Sequence, residues 1–281
     1  MSATILESPP RQAPNGRFGR TRVGLVTIID EEFAATQAAF GLQTQLGRTG
    51  YFVQQGGDGP WDVALVQATD RSNVPIVGDV MNFMEDLRPQ ILLLVGIAGG
   101  LCDGDLGREG IRVGDVVLAD QVSYVEFVKL SERQHGLRTY AIDHPSVPLR
   151  KNVSMPISKQ FKLVEKLTVL PPSDAATKIH IGQIVSGEKV MGDVKSKVQQ
   201  RLLKPFAKAL AVDMESIGMA RAVCDGRDSF WYHPRYAVIR GISDLVAQQD
   251  NDAQRMDWKP FAAHVAALVA QEFVRLLPED P

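Results

Sequence analysis

A chain of 281 residues, 44% hydrophobic and 23% charged, has the composition of a globular protein with room for a sizeable core. Its net charge of -2 and pI near 6.2 give no electrostatic case for nucleic acid or an anionic membrane surface. The longest apolar run, ILLLVGIA at 91–98, is far too short to span a bilayer.

Residues 1–20 lack a continuous apolar signal core and read as a loose, Pro-containing arm, with residues 21–281 as one domain. The expected compartment is therefore the cytoplasm. Cys102 and Cys224 are far apart, show no CxxC spacing and are expected to be reduced. His135, His144, His180, His233 and His264 have no ligand spacing, so neither a metal nor another cofactor is expected.

VGLVTII (23–29) is a near-continuous apolar run, the mark of a strand buried on both faces. A helical pattern follows, with Phe33, Gln37 and Phe40 on one side. WDVALVQA (61–68) predicts a second strand, and VPIVGDVMNFMEDL (74–87) a helix stopped by Pro89. ILLLVGI is the third buried strand, and GIAGG (96–100) could be merely a tight strand-to-helix turn, since glycine tolerates the dihedrals there. That turn lacks the spacing of GxGxxG and of the P-loop, so neither dinucleotide nor Walker-type binding is supported.

After Gly114 the texture changes. DVVLADQVSYVEFV (115–128) suits longer, bending strands, and 131–178 predicts loops with one helix at 156–169. IHIGQIVSG (179–187), ALAVDM (209–214) and RYAVIRGI (235–242) are further strands. ESIGMARAVCD is a helix, and 257–277 closes the chain as an amphipathic helix. This alternation implies an α/β fold: a three-layer αβα single domain with a mixed, mainly parallel central sheet.

In such sheets ligands bind at the carboxyl ends of strands. Four sites fit that rule: Asp30-Glu31-Glu32, the GIAGG segment, Asp213-Met214-Glu215, and Arg240 to Asp244. Each also has an ordinary structural explanation. Carboxylates are favoured in the first turn of a helix by its dipole. Glu215 could open the helix ESIGMA, and Arg240 with Asp244 could be an ion pair at the mouth of a buried strand.

Taken together, these segments resemble the nucleoside phosphorylase and nucleosidase superfamily, most like its methylthioadenosine/S-adenosylhomocysteine nucleosidase branch. VGLVTIIDEE, VGIAGGL, IRVGDVVLADQVSY, IVSGEKVM, AVDMES and VIRGISD carry the likeness, over roughly residues 22–278. The resemblance implies a nucleoside phosphorylase-like fold and cleavage of a purine N-ribosyl bond. That reaction passes through a cationic sugar and requires an acid beside the leaving base, an acceptor for the ribose hydroxyls and a group to activate the nucleophile.

Carried over by motif, Asp244 would protonate the purine at N7, Glu32 would act as base on water, and Arg240 would orient Glu32 and the nucleophile. Glu215 would grip the ribose hydroxyls beside Met214. Ile97, Ala98, Gly99 and Ser243 would line the substrate, and Val190 and Met191 would cover the purine face. Hydrolysis is favoured over phosphorolysis by the three carboxylates after the first strand, where no basic residue occurs until Arg48. Like charges about 4 Å apart repel by roughly 4 kcal/mol at an effective dielectric near 20. Ile97 also replaces the usual Ser or Thr of the resembled family, a hydroxyl that phosphate could use but that also helps position water in the nucleosidases.

Other readings stay open: a purine nucleoside phosphorylase, a non-catalytic nucleoside-binding module, a flavodoxin-like or dinucleotide-binding enzyme, and an immune-type effector domain that cleaves ATP or other adenine nucleotides. For the nucleotide reading, Arg108 and Arg112 in the loop 102–112 would reach a 5′-phosphate. Lys189 has the simpler role of a solvated surface lysine. The expected partners are a small nucleoside or nucleotide and, by resemblance, further copies of this chain, with 129–148 reaching a neighbouring subunit's 5′ pocket.

Overall fold

The computed structural model describes residues 23–278 except 48, 55–60, 102–109, 131–134, 139, 141, 174, 175, 191–195, 228–231 and 247–250. The N-terminal arm, Cys102, Arg108, Met191 and parts of 129–148 thus lie outside the described residues. No helix of the described residues is long and apolar enough to cross a membrane.

Among the described residues there are eleven strands: β1 (Val23–Thr27), β2 (Thr44–Gln45), β3 (Phe52–Gln54), β4 (Val63–Gln67), β5 (Ile91–Gly100), β6 (Val116–Tyr124), β7 (Val128–Leu130), β8 (His135–Leu137), β9 (Ile179–Ser186), β10 (Ala209–Asp213) and β11 (Arg235–Leu245). Nine form one sheet in the order β10-β9-β6-β11-β5-β1-β4-β3-β2, and β7 with β8 makes a separate hairpin. The pairs β4–β1, β1–β5, β5–β11, β6–β9 and β9–β10 are parallel. β10 also pairs antiparallel with the end of β5, which curls that half of the sheet closed on itself.

The helices are α1 (Asp30–Phe40), α2 (Asn73–Leu87), α3 (Val147–Leu149), α4 (Met155–Gln160), α5 (Lys197–Leu203), α6 (Ser216–Gly226) and α7 (Asn251–Arg275). α1 and α7 cover one face of the sheet, and α2 and α6 the other. β5 shows why its run is continuously apolar. Leu92 and Leu94 enter the core beneath Ile76, Phe83 and Val223, while Ile91 and Leu93 enter the opposite core beneath Phe261, Val265 and Phe273. With side chains alternating between two buried faces, every position must be apolar. Truncating Leu93, which is fully buried, to alanine costs about 2–5 kcal/mol.

Four expectations need correction. GIAGG is not a turn but the extended end of β5, because Gly99 and Gly100 pair with Val212 and Ala211 of β10 and, on the other side, with Asp244 and Leu245 of β11. β11 likewise runs on to Leu245. The helix expected at 156–169 lies earlier, with α3 joined to α4 through a π-helical turn at Arg150–Ser154; only a short 3₁₀ turn, Leu163–Lys166, falls later. α7 begins at Asn251 and passes through Pro260, several residues ahead of the apolar pattern.

Candidate active site

The order β11-β5-β1 places three parallel strands side by side, and their carboxyl ends supply the site. Glu32 sits in the first turn of α1, directly after β1. Both of its oxygens are held by peptide N–H groups: Ile97 donates to Oε1 at 2.8 Å, and Ile28 and Ile29 donate to Oε2 at 2.8 and 3.2 Å. Two of these donors are α1's own start, so α1 gives its N-terminus to fixing Glu32. A Cβ on Gly96 would lie 2.3 Å from Glu32 Oε1 and 2.4 Å from Arg240 Nη1. Glycine is therefore required where the carboxylate and guanidinium meet.

Arg240 is not at a strand mouth. It pairs with Gly96 inside the sheet and is fully buried. Its partners are Asp213 (Nε at 2.8 Å), Glu215 (Nη2 at 3.2 Å) and Glu32 (Nη1 at 3.9 Å), and Nη1 has no hydrogen-bond acceptor of its own. The expected alternative of an Arg240–Asp244 ion pair is therefore not what forms. Residues four apart on a regular strand share a face, but β11 bulges between Ile242 and Asp244, and the extra residue turns Asp244 to the other side.

One guanidinium thus meets three buried carboxylates. The cluster places three carboxylates on one cation in a desolvated space, which favours the protonated forms of Glu32 and Glu215. Burial pushes the Glu32 carboxyl above its ordinary range, against the opposing pull of Arg240 and its three N–H donors. Burial, opposed by Arg240 and reinforced by Asp213 and Glu32, pushes Glu215 up to about 7. Asp213 closes the cluster by accepting from the Ser216 and Glu215 peptide N–H groups and the Ser216 hydroxyl. Glu215 opens α6 without capping it: its Oε1 accepts instead from the Ser72 peptide N–H at 3.2 Å.

Asp244 has the opposite surroundings. It is buried, and Arg255 of α7 grips it in bidentate fashion, Nε to Oδ1 at 3.0 Å and Nη2 to Oδ2 at 3.2 Å. The Ser243 hydroxyl donates to Oδ1 at 2.7 Å, and Asn251 Nδ2 to Oδ2 at 3.4 Å. Ile97, Ala98 and Gly99 lie along β5 between the two carboxylate groups, and Met214 is half-buried beside Glu215. Val190 is 61% exposed. Lys189 is exposed and bonds Glu126 at 2.6 Å.

A cavity of about 330 Å³ opens at the start of α1, lined by Ile28, Asp30, Gln67, Thr69, Arg71 and Lys259 among others; Glu32, Glu215, Arg240 and Asp244 do not line it. Lys259 is tied to Glu31 there at 2.6 Å. Sequence reasoning missed Ser72, Asn251 and Arg255, and gave Glu188, inside IVSGEKVM, no role of its own. The first three stand at no recognisable motif, and Arg255 reaches Asp244 only because α7 begins upstream of its apolar pattern.

The sequence matches the family model described as the phosphorylase superfamily over residues 22–278. The 5′-methylthioadenosine/S-adenosylhomocysteine nucleosidase of Staphylococcus aureus strain MRSA252 is 26% identical over 194 residues, 68% of this chain and 71% of that protein. Among solved structures, the nucleosidase of the same name from Neisseria meningitidis, in complex with methylthio-immucillin-A, superposes with a TM-score of 0.69 at 17% identity, covering 92% of this chain and all of that one. The one from Colwellia psychrerythraea, in complex with adenine, gives 0.70 at 21% identity, covering 92% and 97%. At these identities the solved structures speak for the shared fold.

Proposed function

The chain belongs to the phosphorylase superfamily, and from that premise we propose that it hydrolyses the N-glycosidic bond of an adenine nucleoside. The observation that carries the choice of water is the charge balance around Arg240. Glu32, Asp213 and Glu215 already engage its single guanidinium, so Arg240 has no spare charge to offer a phosphate dianion. A neutral water needs none. The names of the S. aureus, N. meningitidis and C. psychrerythraea relatives support the substrate class.

In this reading Glu32 takes a proton from water as the oxygen attacks the anomeric carbon. The C–N bond breaks, its electron pair goes to the purine, and Asp244 supplies the proton to N7. Glu215 accepts hydrogen bonds from the ribose hydroxyls, and Arg240 holds Glu32, Glu215 and Asp213 in one arrangement. Asp244 accepts hydrogen bonds on both oxygens, so neither faces a purine while Arg255 holds it. Arg255, whose side chain is 27% exposed, has to yield before the base can take its place. The same pairing favours, as a second reading, a module that binds a nucleoside without cleaving it.

Incubation with methylthioadenosine, adenosine, inosine and ATP, with and without phosphate, separates these readings. The expected result is free adenine released without phosphate. Ribose 1-phosphate formed only with phosphate would make the protein a phosphorylase, and saturable binding without turnover would make it a binding module.

A further inference from the structure

Ser72 is an outlier with a direction. Its backbone has φ 93° and ψ 158°, a region occupied almost solely by glycine. It stands at the N-cap of α2, where serine normally accepts a hydrogen bond from the helix's first turn, yet it makes no such bond. Its hydroxyl instead donates to Glu188 Oε2, and its strained peptide aims N–H at Glu215 Oε1, 3.2 Å away. Tyr124 holds the other oxygen of Glu188 by donating its hydroxyl at 3.2 Å. Glu188 directly follows the end of β9, so the arm joins α2, β9 and β6 to the start of α6.

Such strain persists only where the surroundings over-determine it. Asn73 supplies that constraint. Its Nδ2 donates to the Gly187 carbonyl at 3.1 Å, while its Oδ1 accepts from the Ser186 hydroxyl at 3.0 Å and the Gly218 peptide at 2.9 Å. A Cβ on Gly218 would lie 2.3 Å from the Asn73 carbonyl oxygen, so α6 and α2 meet backbone to backbone. The peptide before Asn73 has no room to relax, and α2 forgoes both its serine cap and a comfortable backbone.

We propose that Ser72, anchored through Glu188, is a positioning residue that fixes Glu215 for the ribose 2′- and 3′-hydroxyls and so sets preference for ribosyl over 2′-deoxyribosyl substrates. This rests on Glu215 being the ribose ligand. The arm does not touch substrate; it acts through the one N–H that orients the carboxylate, leaving Oε2 to Arg240.

The test compares kcat/KM for adenosine and 2′-deoxyadenosine in Ser72→Gly, Glu188→Gln, their double variant and Glu215→Gln. Glycine accepts the Ser72 backbone angles and removes the hydroxyl. Ser72→Gly is expected to lower kcat/KM for adenosine about tenfold to a hundredfold, mostly through KM, with a much smaller loss for the deoxy substrate and no fall in Tm. Because both residues work through one arm, the double variant should lose little more than Ser72→Gly alone. Equal losses on both substrates, or a fall in Tm that parallels the loss of activity, would reduce Ser72 to a structural residue. If Glu215→Gln collapses the ribosyl preference while Ser72→Gly leaves it intact, the proposal fails and the reading of Glu215 stands. If Glu215→Gln also leaves the preference intact, both fall together.

Discussion

Arg240 and Asp244 lie four residues apart on one strand, yet they sit at the centres of two clusters with opposite charge balance. Around Arg240, three buried carboxylates share one guanidinium. Around Asp244, one buried carboxylate takes both arms of a guanidinium, a hydroxyl and an amide. The first cluster is short of positive charge, and burial raises Glu32 and Glu215 within it; the second is saturated with donors. The bulge after Ile242 is what lets a single strand feed both.

The sharpest way to break the contrast is at its two centres. Asp244→Asn keeps the shape and removes the acid, and turnover should fall by about two to four orders of magnitude, measured as free base released. An unaltered rate would return Asp244 and Arg255 to the status of a structural ion pair. Arg240→Met leaves three carboxylates buried without their cation. Breaking a buried pair in this way costs about 3–5 kcal/mol, which should appear as a lowered midpoint in urea unfolding. A variant as stable as the parent would mean that the carboxylates discharge by protonation at little cost.

Much of this layout was legible in the sequence. Continuous apolar runs marked β1, β5 and β11 because strands buried on both faces admit little else, and the carboxyl-end rule pointed to Glu32, Glu215, Arg240 and Asp244. The charge pairing was not legible. It depends on a one-residue bulge at Ser243 and on β10 folding back onto β5, neither of which changes the hydrophobic pattern. Ser72 looks like an ordinary helix-capping serine until its φ and its partner Glu188 are seen. Short strands such as β2 and β3 escaped because two or three partly exposed residues carry no period.

The cation-poor cluster should also make stability depend on pH. Glu215 is held at about 7 in the fold against 4.5 in the open chain, chiefly by burial. Folding therefore takes up a proton between those values. The resulting stabilisation is complete below about 4.5 and is lost as pH rises through about 7; it is on the order of 3 kcal/mol from this group alone. Glu32, raised by burial, acts in the same sense. Thermal unfolding should accordingly give a higher Tm near pH 6 than near pH 8, and Glu215→Gln should flatten that difference. An undiminished slope in the variant would move the proton to another group. Glu32 titration also implies that activity disappears as pH falls through its raised value, since a protonated Glu32 cannot accept a proton from water.

The smallest expected effect tests the donor-rich cluster. Arg255 is partly exposed, and in the proposed mechanism its hold on Asp244 is exchanged for the purine before that residue acts as acid. A partly solvated ion pair is worth about 0.2–1 kcal/mol, so breaking it ahead of binding should cost the enzyme no more than about fivefold in rate. Arg255→Gln removes that competition while keeping a polar side chain on the first turns of α7, and kcat/KM should rise by about twofold to fivefold. Asn251 and Ser243 still donate to the carboxylate, so its position is retained. A loss of activity would mean that Arg255 stays with Asp244 through the reaction. The aspartate would then act as an anion that stabilises a purine protonated from solvent, and the two clusters would differ in chemistry as well as in charge.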